Sequence, residues 1–177
     1  REDRDVAAIL AEQLRSEGVV LRTKTGLEGV ALKEGNKVLS LSGGEQLEVD
    51  ELLLAIGRAP NVSEIGLEEA GVDYDRRSGV SVNSYLQTSN RRIYAVGDVA
   101  YRYKFTHAAE ATAGIAVQNA LFLRTKKVDD LVVPWCTYTS PEVAHVGISE
   151  SEAADSGGEI TTYTHDLAEE DRASLEG

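Results

Sequence analysis

A short apolar run that ends in Gly-Asp does most to limit what this chain can fold into. Ile93, Tyr94, Ala95 and Val96 precede Gly97 and Asp98, a pattern typical of a buried strand closed by a glycine. In open α/β sheets, ligands lie outside the carboxyl ends of strands, and a carboxylate there can accept hydrogen bonds from sugar or ribitol hydroxyls. On its own, the Gly-Asp pair is more typical of a turn. The run therefore needs support from elsewhere in the chain.

Two further segments supply that support. Leu52–Ile56 is a second apolar run, closed by Gly57 and followed by Arg58-Ala59-Pro60-Asn61, and Val133–Gly147 reads V-P-W-C-T-Y-T-S-P-E-V-A-H-V-G. Together with Thr88–Asp98, their order and spacing resemble the flavin-dependent pyridine nucleotide-disulfide oxidoreductases, the family of lipoamide dehydrogenase, glutathione reductase and mercuric reductase. The resemblance covers nearly the whole chain.

The resemblance implies a mixed fold class, α/β and α+β, in a fragment of a flavoprotein with two dinucleotide domains. Residues 1–58 are expected to form the carboxyl-terminal half of a Rossmann-like NAD(P)-binding domain with a β-meander. Residues 59–128 would be the returning part of the FAD-binding domain, and residues 129–177 the start of an α+β dimerisation domain. Neither Gly-rich phosphate loop nor a cysteine pair occurs in the sequence. We therefore expect a fragment that lacks the amino-terminal part and most of the dimerisation domain, and that is inactive alone.

Apolar periodicity and turn residues predict the order of elements. The expected elements of the first part are a helix over Asp5–Ser16 capped by Asp3 or Asp5 and stopped by Gly18, a strand at Val19–Leu21, a meander of Leu27–Leu32, Lys37–Leu41 and Gln46–Val49, and the strand Leu52–Ile56. The middle part is expected to contain a helical turn at Leu67–Val72, strands at Val80–Val82 and Ile93–Val96, and a helix capped by Thr106 and running towards Arg124. After a charged boundary at Thr125–Asp130, we expect a helix that begins at a capping box of Ser149 and Glu152 and stops at Gly157-Gly158, and then a strand at Ile160–Tyr163.

The candidate FAD contacts are Gly97, Asp98 and the segment Lys104-Phe105-Thr106-His107. By resemblance, Asp98 accepts a hydrogen bond from a ribitol hydroxyl, and residues 104–107 wrap backbone around the flavin at the start of a helix. A helix amino terminus offers N–H groups and partial positive charge, which stabilises the negative N1–C2=O edge of a reduced flavin. His107 alone is more typical of a capping or surface histidine, so no residue here is assigned as a catalytic base.

The candidate NAD(P) contacts are fewer. Gly57 is expected against the nicotinamide dinucleotide because backbone without a side chain permits close approach, although a strand-ending glycine is nearly as good an interpretation. By resemblance, Thr25 aligns roughly with a backbone contact to adenine. Arg58 is interpreted as serving charge balance or plain surface solvation.

Composition limits the partners. The formal net charge of −12 argues against nucleic acid and anionic membranes. Apolar stretches are too short for a membrane span, so we expect a cytoplasmic protein. The single cysteine, Cys136, lies beside Trp135 in a predicted strand and has no partner cysteine and no ligand spacing near it. We therefore expect a buried structural cysteine and no metal site. The resemblance implies a homodimer formed through residues after Asp130.

The resemblance implies that the parent enzyme transfers a hydride from NADH or NADPH to FAD and then two electrons to a cysteine pair. Mercuric reductase-like proteins match F-T-H-A-A-E and the segment from Pro134 best, and lipoamide dehydrogenase comes second. Two alternatives remain open: a module that serves dimerisation or interaction alone, and a flavoprotein NADH oxidase without the cysteines.

Overall fold

A computed structural model of the chain describes residues 2–157 and 160–166. It divides into two compact units, one made of Arg1–Val20 with Pro134–Gly177 and the other of Leu21–Val133. All the candidate cofactor contacts lie in the second unit. None of the helices in the described ranges combines the length and apolar character needed to cross a bilayer.

The first helix, α1, spans Arg4–Ser16 and confirms the predicted amphipathic helix, which was expected to begin one residue later. Asp3 holds the N-cap position with extended backbone, although its side chain makes no capping bond. Gly18 ends the helix with a φ of +90°, a left-handed conformation that favours glycine. The strand predicted at Val19–Leu21 is wrong, since the segment joins no sheet and Val20 is 75% exposed.

The predicted β-meander is confirmed. Strands β1 (Leu27–Lys33), β2 (Asn36–Leu41) and β3 (Gln46–Val49) form an antiparallel sheet in chain order. The connection between β1 and β2 is tight because Gly35 adopts a φ of +94°. Leu39 and Leu41, on alternate positions of β2, are its buried residues. The alternation of apolar and polar residues and the glycines of the turns are local signals, so the meander can be predicted from its own sequence.

The strand predicted at Leu52–Ile56 does not form. Leu53 and Ile56 are 89% and 90% exposed, and no described strand pairs with the segment. A continuous apolar run is typical of a parallel strand covered on both faces, and such a strand depends on its neighbours. Ile93–Val96 is likewise extended rather than a ladder strand, with one isolated bridge between Tyr94 and Gln87, and it is half-buried.

A short hairpin lies between these two segments. Strands β4 (Tyr74–Asp75) and β5 (Gly79–Val80) pair antiparallel, so β5 ends before the predicted Val82. Leu67–Val72 makes the expected helical turn, closed by a bond from the Val72 N–H to the Leu67 carbonyl at 2.8 Å. A core of Val62, Val72 and Val80 holds hairpin and turn together. Among the residues that pack on this core are Ile93, Ala95 and Val99.

The β4–β5 hairpin carries a pH-dependent contribution to stability. The backbone N–H of Ser78, the N–H of Arg77 and the Ser78 hydroxyl all donate to Asp75 Oδ1, and these bonds lower the pKa of Asp75. A lowered folded-state pKa stabilises the fold above the unfolded pKa and ceases to do so as pH falls through the folded value. We therefore expect urea midpoints to fall below about pH 4, and Asp75→Asn to flatten that slope. An equal slope in both proteins would contradict this assignment.

The long helix α2 spans Thr106–Leu121 and ends before the predicted Arg124. Its buried residues are Ala108, Thr112, Ile115, Ala116 and Asn119. Leu86 and Val128 complete a core with Ile115 and Ala116, and Leu86 is 0% exposed. The prediction of Thr106 as the cap is wrong: Phe105 occupies the N-cap position with φ −121° and ψ 148°, because Thr106 itself already has helical backbone.

The other unit contains a second hairpin and a short helix. Strands β6 (Trp135–Thr137) and β7 (Val143–His145) pair antiparallel. Helix α3 (Glu150–Asp155) begins at the predicted capping box, in which Ser149 Oγ accepts from the Glu152 N–H at 3.1 Å. Cys136 lies in β6 beside Trp135, as predicted, but it is half-buried rather than buried. The strand predicted at Ile160–Tyr163 is not formed by these described residues, and Gly158 lies outside them.

The amino-terminal segment is attached to the β6–β7 hairpin. Trp135 and His145 stack with ring centroids 4.0 Å apart, and the Trp135 indole N–H donates to Glu2 Oε1 at 2.8 Å. The backbone N–H of Glu150 donates to Asp3 Oδ2 at 3.3 Å. These contacts join residues far apart in the sequence into one compact unit.

Candidate cofactor site

The predicted Gly97-Asp98 pair lies in a single 3₁₀ turn, Gly97–Val99, directly against helix α2. Gly97 is buried with a φ of +65°, and a Cβ built on it would lie 3.1 Å from the Cβ of Ala109. Both the backbone conformation and the close approach to the helix therefore favour glycine. The turn is anchored through the Gly97 N–H, which donates to Thr112 Oγ1 at 3.1 Å.

Thr112 is a site-building residue that the sequence reasoning did not identify. It is 0% exposed, and its hydroxyl reaches the carbonyls of Ala108 at 2.8 Å and Ala109 at 2.9 Å while accepting from Gly97. A buried hydroxyl needs such partners because its burial unbonded is costly. The signal in the sequence was a polar residue at helical spacing from Ala108, Ile115 and Ala116, on the buried face of an alanine-rich helix that also carries Asn119.

Asp98, Arg58 and Lys104 form a connected polar cluster. Arg58 Nη1 lies 3.5 Å from Asp98 Oδ2, Arg58 Nη2 donates to the Lys104 carbonyl, and Lys104 Nζ donates to the Asp98 carbonyl at 2.7 Å. The Asp98 side chain is 47% exposed, so its carboxylate is accessible to a ligand. The role of the Lys104 side chain was not foreseen, since the prediction for residues 104–107 concerned backbone contacts.

The amino terminus of α2 follows this cluster immediately. Phe105 and His107 stack with centroids 5.4 Å apart and planes 8° apart, on either side of Thr106. The N-cap residue supplies no side-chain capping bond, and the first turn contains no acidic residue. The positive end of a 16-residue helix is therefore not offset by a carboxylate of its own first turn. Such an end suits an electron-rich ligand edge.

Gly57 and Thr25 are placed differently. Gly57 is exposed with a φ of +107° and nothing within 4 Å of a Cβ built on it, and it is the chain neighbour of Arg58. Thr25 follows the turn at Thr23 and Lys24 and precedes β1, and its hydroxyl donates to the Thr23 carbonyl at 3.3 Å. Among the hydrogen bonds and ion pairs of the described residues, none joins Thr25 to the Asp98 cluster. The structure thus brings the FAD candidates together and leaves Thr25 apart.

The residues present fit a flavin nucleotide in their chemistry. Asp98 offers an accessible carboxylate for hydroxyl groups, and the start of α2 offers N–H groups with partial positive charge. Tyr101 lies between Asp98 and α2 in the sequence, and its N–H donates to the Gly97 carbonyl at 2.8 Å. The Tyr101 side chain packs on the core that contains Leu86, and burial raises the pKa of its phenol.

Two protein-family models match the chain. The model described as pyridine nucleotide-disulphide oxidoreductase matches residues 1–113, and that of the dimerisation domain of the same class matches residues 133–177. Mercuric reductase from Staphylococcus aureus is 37% identical over 163 residues, covering 90% of this chain and 30% of that protein. Dihydrolipoyl dehydrogenase from Thermus scotoductus is 40% identical over 160 residues, covering 88% of this chain and 34% of that protein.

Solved structures agree with these matches. An HOCl-induced flavoprotein disulfide reductase from Escherichia coli, solved as a Cu(II) complex, superposes with a TM-score of 0.85 at 32% identity, covering 99% of this chain and 40% of that one. LpdA from Mycobacterium tuberculosis superposes with a TM-score of 0.86 at 26% identity, covering 99% of this chain and 38% of that one. The chain therefore spans about a third of the length of the curated relatives it matches.

Proposed function

Because the chain belongs to the pyridine nucleotide-disulphide oxidoreductase family, we propose that it is part of an FAD-dependent enzyme that oxidises NAD(P)H. The chemistry that bound FAD supplies is two-electron exchange between the nicotinamide and a redox-active disulfide. This family uses FAD and NAD(P)H, and the residues that this chain contributes are binding residues. No catalytic residue is assigned to it.

The observation that carries the proposal is the placement of Asp98. Its half-exposed carboxylate sits on a turn that Gly97 fastens to α2, at the end of the extended segment Ile93–Val96. A carboxylate held rigidly at such a position can accept charge-assisted hydrogen bonds from ribitol hydroxyls. Holding the acceptor in place before the ligand arrives reduces the entropy lost on binding.

Residues 104–107 are proposed to receive the flavin ring. The amino terminus of α2 offers N–H groups and partial positive charge, which would stabilise the electron-rich N1–C2=O edge of a bound flavin. Because these contacts come from the backbone, the stacked side chains of Phe105 and His107 are expected to line the flavin site and not to transfer a proton. Gly57 and Thr25 are proposed, on the resemblance, as contacts to NAD(P).

The proposed organisation follows the family. Residues 1–58 would belong to the NAD(P)-binding domain, 59–128 to the FAD-binding domain and 129–177 to the dimerisation domain. The match of residues 133–177 to a dimerisation-domain model supports the proposal of a homodimer formed through residues after Asp130. The names of the relatives support mercuric ion or a lipoyl disulfide as the substrate class. We also propose a cytoplasmic location for the protein.

Flavin affinity tests the role of Asp98. In the full-length protein that carries this chain, Asp98→Ala is expected to weaken FAD binding about 10- to 100-fold, because a hydrogen bond to a charged group contributes about 1.5–3 kcal/mol. Titration of the apoprotein with FAD, followed by quenching of flavin fluorescence, measures the dissociation constant.

Asp73→Ala is the matched control, since Asp73 is also an exposed aspartate of the same unit. Its affinity for FAD is expected to equal that of the unaltered protein. Equal affinity in the Asp98 variant would contradict the assigned contact, and a full-length protein that binds no FAD would contradict the proposed function.

A further inference from the structure

Arg58 is the residue that closes the polar cluster around the candidate flavin contact. Its two terminal nitrogens reach different groups: Nη1 lies 3.5 Å from Asp98 Oδ2, and Nη2 donates to the Lys104 carbonyl. Lys104 Nζ in turn donates to the Asp98 carbonyl at 2.7 Å. Each of the three residues thus contacts the other two, and the turn from Asp98 to Lys104 is held at both of its ends by one guanidinium.

The exposure of this cluster argues for a positional role more than for stability. The side chains of Arg58 and Asp98 are 63% and 47% exposed. An exposed ion pair adds little to folding because solvent screens it. The planar guanidinium nevertheless fixes directions, since its N–H groups lie in a rigid fork. Arg58 can therefore set where two ligand-facing groups stand without contributing much to the free energy of unfolding.

The pairing with Arg58 leaves the Asp98 carboxylate able to accept from a ligand. Arg58 Nη1 lies 3.5 Å from Oδ2 of Asp98, and each carboxylate oxygen has two lone pairs, so the carboxylate can still accept from a ligand hydroxyl. The same guanidinium holds the Lys104 carbonyl, and Lys104 is the residue before the N-cap of α2. One side chain thereby fixes both the acceptor proposed for the ribitol and the backbone that leads to the flavin-facing helix end.

We propose that Arg58 is a positioning residue of the flavin site, acting through the Asp98 carboxylate and the Lys104 carbonyl. This inference rests on the proposed function. It assigns a flavin-site role to a residue that the sequence places next to Gly57, in the part of the chain expected to bind NAD(P). The ends of the two extended segments, Leu52–Ile56 and Ile93–Val96, are therefore linked through one side chain.

The first test compares FAD dissociation constants in the full-length protein. Arg58→Gln is expected to weaken FAD binding about tenfold, and Arg58→Lys by a smaller factor, because lysine keeps the charge without the fork. Arg22→Gln is the matched control: Arg22 lies in the same unit and pairs with Glu45 at 2.8 Å, with side chains 38% and 50% exposed. It is expected to leave FAD affinity unchanged while shifting thermal stability as much as Arg58→Gln or more.

A double-mutant cycle with Asp98→Ala separates positioning from a general structural effect. If Arg58 acts through Asp98, most of the tenfold loss on Arg58→Gln disappears in the Asp98→Ala background. An equal loss in both backgrounds overturns the proposal, and so does wild-type affinity in Arg58→Gln. A protein that binds FAD well before any substitution and equally well after Arg58→Gln overturns this inference alone, whereas failure of the unaltered protein to bind FAD overturns the proposed function with it.

Discussion

Gly79→Ala is expected to destabilise the unit Leu21–Val133 by more than about 4 kcal/mol. A Cβ at position 79 would lie 2.0 Å from the carbonyl oxygen of Val99 and 3.0 Å from its carbonyl carbon. Both are backbone atoms, so no side-chain rotation can relieve the clash. Gly79 also has a φ of +97°, which an L side chain rarely adopts. Urea unfolding followed by circular dichroism measures the loss.

The clash at Gly79 is also expected to affect FAD binding. Val99 follows Asp98, so moving the Val99 carbonyl away from residue 79 displaces the turn that carries the proposed flavin acceptor. The alanine variant of the full-length protein should therefore lose FAD affinity together with stability. Gly35→Ala is the control, because Gly35 has a φ of +94° with nothing within 4 Å of an added Cβ. Only conformational strain of about 1–2 kcal/mol is expected there, and comparable losses in the two variants would show that contact with Val99 does not matter.

Leu86→Ala is expected to cost about 2–5 kcal/mol, the range found when a buried leucine leaves a cavity. Leu86 is 0% exposed and packs with Ile115, Ala116 and Val128. Leu86 has a φ of +64°, and because leucine and alanine both carry a Cβ, the strain of this conformation is common to both and the substitution reports on packing. The midpoint and slope of urea unfolding give the free energy of unfolding.

Leu32→Ala provides the comparison for Leu86. Leu32 lies in β1 and is 79% exposed, so the same chemical change removes little buried surface and should cost less than about 1 kcal/mol. Similar losses at both positions would mean that the cluster under α2 is not a stabilising core. A large loss at Leu86 alone would show that this cluster stabilises the fold.

Local signals in the sequence predicted the elements that depend on few neighbours. The β1–β3 meander follows from alternation and from the glycines of its turns, and the start of α3 follows from Ser149 and Glu152, which bond each other's backbone. Leu52–Ile56 and Val19–Leu21 were predicted as strands because they are apolar. An apolar run indicates that a segment is suited to burial, whereas a strand also requires a partner on at least one edge.

In the candidate site, too, the sequence predicted the local features and not the contacts between distant residues. The Gly97-Asp98 pair and the helix start near Thr106 were visible in the sequence because each depends on adjacent residues. Whether they bind FAD remains a prediction. The contacts that hold them, Arg58 with Lys104 and Gly97 with Thr112, join residues 46 and 15 positions apart. No spacing rule connects such pairs, so only the three-dimensional structure reveals them.

The bond between Gly97 and Thr112 also determines how the site can open. A loop that bonds only to itself can fray while the rest of a domain stays folded. The Gly97 amide is instead satisfied by a hydroxyl buried inside α2, which is 0% exposed. Releasing the turn would take the Gly97 N–H from its acceptor, although Thr112 would keep its bonds to the Ala108 and Ala109 carbonyls. We therefore expect the turn and the helix to behave as one cooperative unit. The proposed flavin acceptor would then keep its place until the helix itself unfolds.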